Sequence, residues 1–471
     1  MISSFTLVIV YLVCTFFIGN VLTKRSQTVH SYFIAKDQLG TGLIMVLVFS
    51  ELISGSSTVG NASQAYSLGI SSVWANVGMC LGGILFSQLL CKFYVVLGKH
   101  QNVGTVPDAY GWYFSSRCRS VMTFTVIVVY FILQSLLPKA AAAVLAPMLG
   151  VDPTATAWIM CIFFIAIALM GGQKAIANMN VLHTFVMYFG LLIAAVLALF
   201  RVGGLSTLTN TLPESFFSFG QPSVSTVVAR AAGSMLSLTA APIIVNDIWG
   251  AKTYRQAKRG VLFGSLVMIP FAFFPAILGL CAKVLLPGQS PNNALYAMGA
   301  YLGPVWGAVV SMAVLAAILS TAPGNMLVIA NSLTWDIYLP YLRKSASQRE
   351  ALFFSRICMV IIGVTSCWFG LTNEELMSQL TGALQIKSVA GAVLVIALLW
   401  HRVDERAAFW SMLLGGIISV VWFFCGSPFG VEPLWPACAG GLGALVVLTL
   451  LSPAPCSASY LKYREVKRLG P

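Results

Sequence analysis

Ser320 and Thr321 adjoin in a long apolar segment, A-A-I-L-S-T-A-P-G-N-M-L-V-I-A-N-S-L-T-W-D-I-Y, residues 316–338. Ala317 lies one turn earlier, and i, i+3, i+4 spacing sets the three on one helical face. Two hydroxyls and a carbonyl loosened by the following Pro323-Gly324 offer hard, neutral oxygens, a chemistry suited to a small cation. Ser and Thr in membrane helices also hydrogen-bond to their own backbone or to a neighbouring helix, so the pair alone does not decide. Ionisable groups inside apolar sequence narrow the choice. Glu51, Lys139, Arg230, Asp247 and Lys387 are such groups. Lys139 and Arg230 fall toward the ends of their apolar runs and are expected to snorkel. Asp247 adjoins the basic run A-K-T-Y-R-Q-A-K-R-G, where a structural ion pair is expected. Glu51 and Lys387 lie deep, and are expected either to pair with each other or to meet a solute or ion.

Glu51 belongs to S-E-L-I-S-G-S-S-T-V-G-N-A-S, residues 50–63, rich in Ser, Thr and Gly at a depth where backbone should be helical. Unwound carbonyls inside a membrane are tolerated only where they line a cavity or bind something. The competing role for such residues is close helix packing. A second candidate break is S-L-T-A-A-P, residues 237–242.

The elements that must position these groups follow from composition. The 471 residues are 58% hydrophobic and 9% charged, with a mean hydropathy of +0.87, which excludes an ordinary soluble domain. Apolar runs of spanning length predict an all-α membrane protein of about thirteen helices, near 4–22, 42–70, 71–98, 119–147, 153–171, 175–200, 225–248, 259–284, 297–337, 352–371, 376–400, 406–425 and 433–452. The second and ninth are longer than one span needs.

Most of the 27 Lys and Arg residues fall in alternate connections. They include Lys24, Arg25 and Lys36; Lys92, Lys99, Arg117 and Arg119; Lys252, Arg255, Lys258 and Arg259; and Lys462, Arg464, Lys467 and Arg468. The positive-inside pattern places the N-terminus outside and the C-terminus in the cytoplasm, in a plasma (inner) membrane. The first span lacks a preceding basic region and reads as a retained anchor. The net charge of +13 therefore faces a membrane, and no nucleic-acid or obligate protein partner is implied. The eleven cysteines have no metal-ligand spacing. Phosphate-binding and hydrolase motifs are missing. Of the four histidines only His183 sits well inside a span, without an acidic neighbour in sequence. An enzyme is not expected.

With the first span set aside, the two breaks head consecutive groups of five helices, the layout of transporters built from inverted repeats. The expected divisions are 1–40, 41–203, 204–400 and 401–471.

The chain resembles the sodium:solute symporters, the family of sodium/proline, sodium/pantothenate, sodium/sialic acid and sodium/galactose transporters. The resemblance spans nearly the whole chain. Its strongest pieces are A-A-I-L-S-T…N-S-L-T-W-D-I-Y at 316–338 and S-x-x-I-S-x-S-S-x-x-G at 50–60. Y-F-I-A-K-D-Q-L-G at 32–40, G-G-Q-K-A-I-A-N-M-N-V-L-H at 171–183 and the basic run at 251–260 support it. It implies a leucine-transporter type of fold and a coupling sodium ion held by the carbonyls of Ser50, Ile53 and Ala317 and the hydroxyls of Ser320 and Thr321. Three positions depart from the family. Asn180 stands where relatives with a second sodium carry Asp, Glu51 replaces a small residue, and Asn246-Asp247 replaces Gln-Arg. One sodium and a differently wired cytoplasmic gate are the expectations.

The resulting expectation is a symporter importing a small organic solute, such as a carboxylate, amino acid or vitamin-like molecule, with sodium by alternating access. Ser56, Ser57, Lys387 and Glu51 are the candidate solute contacts. Proton coupling through Glu51 is the alternative within transporters; a membrane enzyme or a transport-dead sensor are the alternatives outside them.

Overall fold

The computed structural model describes residues 4–21, 29–35, 37–372, 384–452 and 455–471, and within these the apolar stretches fold as helices. Among the described residues ten helices are long and apolar enough to cross a membrane, and Thr41–Leu52 with Ser56–Leu68, bent by 65°, is together long and apolar enough for one more. Two shorter apolar helices, Thr6–Gly19 and Ser388–Leu399, stand where the first and eleventh spans are expected. Lys24, Arg25, Lys36 and the stretch 376–383 lie outside the described residues.

We number the helices used below in chain order: α1 (Ser4–Val21), α2 (Thr41–Leu52), α3 (Asn61–Leu68), α4 (Trp74–Leu85), α5 (Cys91–His100), α6 (Val106–Tyr113), α7 (Ser116–Leu149), α8 (Pro153–Gly171), α9 (Gln173–Val202), α10 (Val224–Thr239), α11 (Pro242–Trp249), α12 (Tyr254–Leu285), α13 (Pro304–Ser332), α14 (Gln348–Thr372), α15 (Ser388–Leu399), α16 (Glu405–Phe424), α17 (Leu434–Leu451) and α18 (Ala458–Arg468). Their starts follow capping chemistry. Thr105, Asp152, Ser223, Thr253 and Asp404 each turn a side-chain oxygen to a main-chain N–H in the first turn of the following helix.

α13 is the axis of the bundle: every residue from Ala313 to Ser332 is buried. Around it pack α2, α7, α8, α9 and α14. Small residues permit this closeness. A Cβ at Gly78 of α4 would lie 2.3 Å from the Ala231 carbonyl oxygen of α10, and one at Gly279 of α12 equally close to that of Ala62. Large apolar side chains instead point outward, where lipid is the solvent. Phe185, Phe200, Ile162 and Trp368 are all more than 60% exposed.

The two expected breaks differ in degree. α2 ends at Leu52, Ile53 is extended (φ −87°, ψ 120°), and the chain resumes through a wide π turn over Ser56–Gly60. Between α10 and α11 only Ala240 and Ala241 leave the helix, before Pro242 restarts it, and Val224–Trp249 remains a single span. α13 does not open at Pro323, contrary to the expectation of a loosened Ala317 carbonyl. A proline lacks the N–H that the residue four earlier would use, so the carbonyl it frees is that of Leu319.

Candidate ion and solute site

The end of α2 releases carbonyls that a continuous helix would have used. Two of them meet α13. The Ser320 hydroxyl donates to the Ser50 carbonyl at 2.7 Å and lies 3.0 Å from the Ala317 carbonyl. Thr321 Oγ1 lies 3.0 Å from the Ile53 carbonyl and 2.9 Å from that of Ala317. Ser50, Ile53, Ala317 and Ser320 are fully buried, and Thr321 is nearly so. The Ser50 hydroxyl turns back to the Leu47 carbonyl at 3.3 Å, leaving its main-chain oxygen as the group presented. Five neutral oxygens thus converge from two helices. Each hydroxyl has lone pairs as well as a proton, so rotation of both O–H bonds turns the cluster from self-bonded into an all-acceptor cage. Such a set fits a monovalent ion held without a fixed carboxylate.

One residue from Ser50, the arrangement changes. Gln173 Nε2 of α9 donates to Asp247 Oδ1 at 2.7 Å and lies 3.5 Å from Glu51 Oε1. Asp247 is fully buried and Glu51 nearly so. Glu51 Oε2 and Asp247 Oδ2 have no hydrogen-bond partner among the described residues. The structural ion pair expected for Asp247 is therefore not formed among the described residues. Rotation of α11 turns Asp247 inward toward α9 and α2, away from the basic run that follows it. Gly324 of α13 faces Glu51 with room to spare: a Cβ there would make ordinary van der Waals contact, 3.8 Å from Oε1.

A cavity of about 360 Å³ opens beside this cluster. Glu51, Ser56, Tyr130, Thr321, Asn325 and Lys387 share its wall, and it extends toward Lys139, Asn292 and Asn293. Lys387 is 2% exposed. It donates to the Tyr130 hydroxyl at 3.4 Å, with its ammonium 4.8 Å from that ring's centre. Lys387 and Glu51 line one cavity but form no ion pair with each other. Ser57 does not line it; its carbonyl accepts from Asn76 Nδ2 at 3.0 Å. Asn325 is buried, and neither of its amide atoms is bonded among the described residues. Sequence reasoning missed it, although it stands one turn beyond Thr321.

Both ends of the bundle carry polar locks. Arg230 does not snorkel freely. It pairs with Glu432 at 3.0 Å and donates to Gln64 at 3.2 Å, while Gln385 donates to the other Glu432 oxygen at 3.1 Å. At the opposite end, Arg119 bridges Asp108 and Asp336 at 2.9 Å each. Thr105 donates to both Asp336 oxygens at 2.8 and 2.9 Å. This second lock ties α7 to the continuation of α13, so Arg119 is a bridging residue and not only one charge of a basic connection. Asn180 is buried, with neither amide atom bonded among the described residues. His183 meets the Tyr11 hydroxyl of α1, and no cluster of three or more His, Cys, Asp or Glu able to hold a metal occurs among the described residues.

A profile of the sodium:solute symporter family matches residues 32–415. The chain belongs to that family. The symporter is 23% identical to the high-affinity proline transporter PutP of Bacillus subtilis, over 94% of this chain and 96% of that one. It is 22% identical to the sodium/proline symporter of Escherichia coli, over 97% and 94%. Among solved structures, the substrate-bound outward-open state of a Na⁺-coupled sialic acid symporter superposes with a TM-score of 0.81 at 15% identity, covering 96% of this chain and 98% of that one. The symporter thus has the leucine-transporter type of fold with two inverted five-helix repeats. It is a multi-span membrane protein of a transporter family.

Proposed function

We propose that this protein imports a small, carboxylate-bearing organic solute together with one sodium ion by alternating access. The observation that carries the reading is the contact of α2 with α13. Neutral oxygens of Ser50, Ile53, Ala317, Ser320 and Thr321 converge at a helix break, and Thr321 also lines the cavity that holds Lys387. Sodium taken up there replaces hydroxyl-to-carbonyl bonds with ion-to-oxygen contacts and links the broken helix to the bundle axis. Solute then finds Lys387, Asn325 and Ser56 on the cavity wall next to the ion. The cavity extends toward the connections poor in basic residues, so by the positive-inside pattern it faces outward. Closing it requires the Arg119–Asp336 lock at the basic end to open, which exposes ion and solute to the cytoplasm. Low sodium there favours release.

The drive is sufficient. For a monoanion the cotransport is electroneutral and the sodium gradient alone drives it. For a zwitterion one net charge moves through about 100 mV, giving ~2.3 kcal/mol, which at roughly 1.4 kcal/mol per tenfold supports on the order of fiftyfold accumulation. The sodium gradient adds to it.

The test is uptake into proteoliposomes with sodium and proton gradients imposed separately over a panel of labelled carboxylates, amino acids and sugars. Uptake of a carboxylate driven by sodium alone is expected. Uptake driven only by a proton gradient would move the coupling to the alternative seated at Glu51. Transport of neutral sugars alone would discard the role given to Lys387.

A further inference from the structure

At the basic end of the bundle a second cavity, of about 380 Å³, lies between the α4–α5 junction, the start of α12, the end of α15 and the terminal helix α18. Lys92, Arg464 and Lys467 converge on it, together with the rings of Tyr254 and Tyr460. No carboxylate lines it, and none of the three cations takes part in an ion pair among the described residues. Apart from Gln88 and Tyr463 its remaining wall is aliphatic, and it runs to the lipid-facing surface through Leu89 and Leu399, which are 38% and 60% exposed.

The cations are presented by an anchored element. Tyr463 of α18 is buried edge-on against Phe93, with ring centres 5.2 Å apart, and against Tyr113 at 6.0 Å. Lys462 donates to the Trp112 carbonyl at 3.0 Å and lies over that indole at 4.3 Å. The Ser457 amide, at the start of the helix, donates to the His401 carbonyl at 2.8 Å. With this face pinned, Arg464 and Lys467 stand over the cavity opposite Lys92. Three like charges around one space repel unless an anion joins them. A basic pocket bordered by spans at the basic end, with an apolar exit to the bilayer, has the polarity of a phospholipid and not that of a soluble metabolite.

We infer that this cavity binds the phosphodiester headgroup of an anionic phospholipid, with an acyl chain lying along Leu89 and Leu399. The inference does not depend on sodium coupling or on the identity of the solute.

The test is native mass spectrometry of the full-length protein in neutral detergent, titrated with phosphatidylglycerol, phosphatidylcholine or inorganic phosphate. Wild type should retain phosphatidylglycerol in preference to phosphatidylcholine. Combined Lys92→Gln, Arg464→Gln and Lys467→Gln substitution should weaken phosphatidylglycerol by on the order of a hundredfold, about fivefold per charge. A control with the same loss of charge at exposed sites, Lys344→Gln, Arg349→Gln and Arg468→Gln, should bind as wild type does. If the triple variant does not fold, Arg464→Gln alone should still show the fivefold loss. Equal retention of both lipids overturns the inference, as does equal weakening in the control. Displacement of phosphatidylglycerol by inorganic phosphate would assign the cavity to a soluble anion and overturn it too.

Discussion

Asp336, in the continuation of α13, and Lys387, at the N-cap of α15, are both buried charged residues, and they are treated in opposite ways. Asp336 receives Arg119 and Thr105, with every contact between 2.8 and 3.0 Å. Lys387 has one 3.4 Å contact with a neutral tyrosine hydroxyl and the face of that ring. A buried charge is tolerated when its counter-charge and hydrogen bonds are in place, and is costly otherwise. The first arrangement is complete within the protein and serves as a lock. The second is incomplete among the described residues, and it faces a cavity. On the function proposed above, the difference separates a group that holds the fold from a group that meets the solute, and the variants that follow test that division.

The largest effect is expected at the lock. Arg119→Gln strands Asp336 and Asp108 together, and removing one partner of a buried pair costs about 3–5 kcal/mol. Arg119 is itself partly exposed, so the lower part of that range applies. A large fall in thermal stability and near-complete loss of uptake are expected. Adding Asp336→Asn should recover part of the stability, because it removes the stranded charge. A single variant as stable as wild type would mean that the lock is not one.

At Lys387 the sign of the stability change should reverse. Lys387→Met removes an unpaired buried ammonium, so stability should hold or rise, while the KM for the solute climbs. The loss of a charge-assisted hydrogen bond, about 1.5–3 kcal/mol, corresponds to roughly ten- to hundredfold. Sodium activation should change little. The competing account is a Lys387–Glu51 pair across the cavity, under which Glu51→Gln would rescue Lys387→Met. Rescue would end the ligand reading.

The contact of α2 with α13 lies between these extremes, since its polar atoms are satisfied but only by one another. Ser320→Ala and Thr321→Ala should each raise the sodium concentration for half-activation by roughly tenfold, about one hydrogen bond's worth of stabilisation. Expression and folding should stay near normal. An unchanged sodium activation curve in both variants would place the ion elsewhere and leave the hydroxyls as helix-joining groups.

What was legible in the sequence depended on how far apart the interacting residues lie along the chain. The spans were readable because lipid demands long apolar runs, and the bend at Ile53 because Ser and Gly crowd 50–60. The facing of Ser320 and Thr321 toward that bend came from the motif resemblance, and helical spacing alone supplied only the shared face. Asn325 was within reach of the same spacing argument. The Arg119–Asp336 lock joins residues 217 positions apart, and Arg230–Glu432 joins residues 202 apart. Neither pairing has a local signature. Asp247 was misread for a related reason. Its sequence neighbours are basic, but the rotation of α11 that turns it toward Gln173 is set by packing.

The smallest effect is expected at Asn180, and it concerns stoichiometry. Both amide atoms of this buried side chain are without partners among the described residues, which resembles the unfinished state of Lys387 more than the closed state of Asp336. A neutral amide, however, costs far less to leave unpaired than an ammonium, so its condition does not demand an ion. The family resemblance implies an Asp here for a second sodium, and Asn180 supplies only a dipole without a carboxylate's attraction. We expect a Hill coefficient for sodium near unity and one charge moved per neutral zwitterion or none per monoanion. Asn180→Ala should shift half-activation by less than about twofold, within the usual range for a substitution that breaks no contact. Sigmoidal activation in the wild type, or a charge-to-solute ratio requiring two ions, would show that Asn180 belongs with the ligand-binding groups after all.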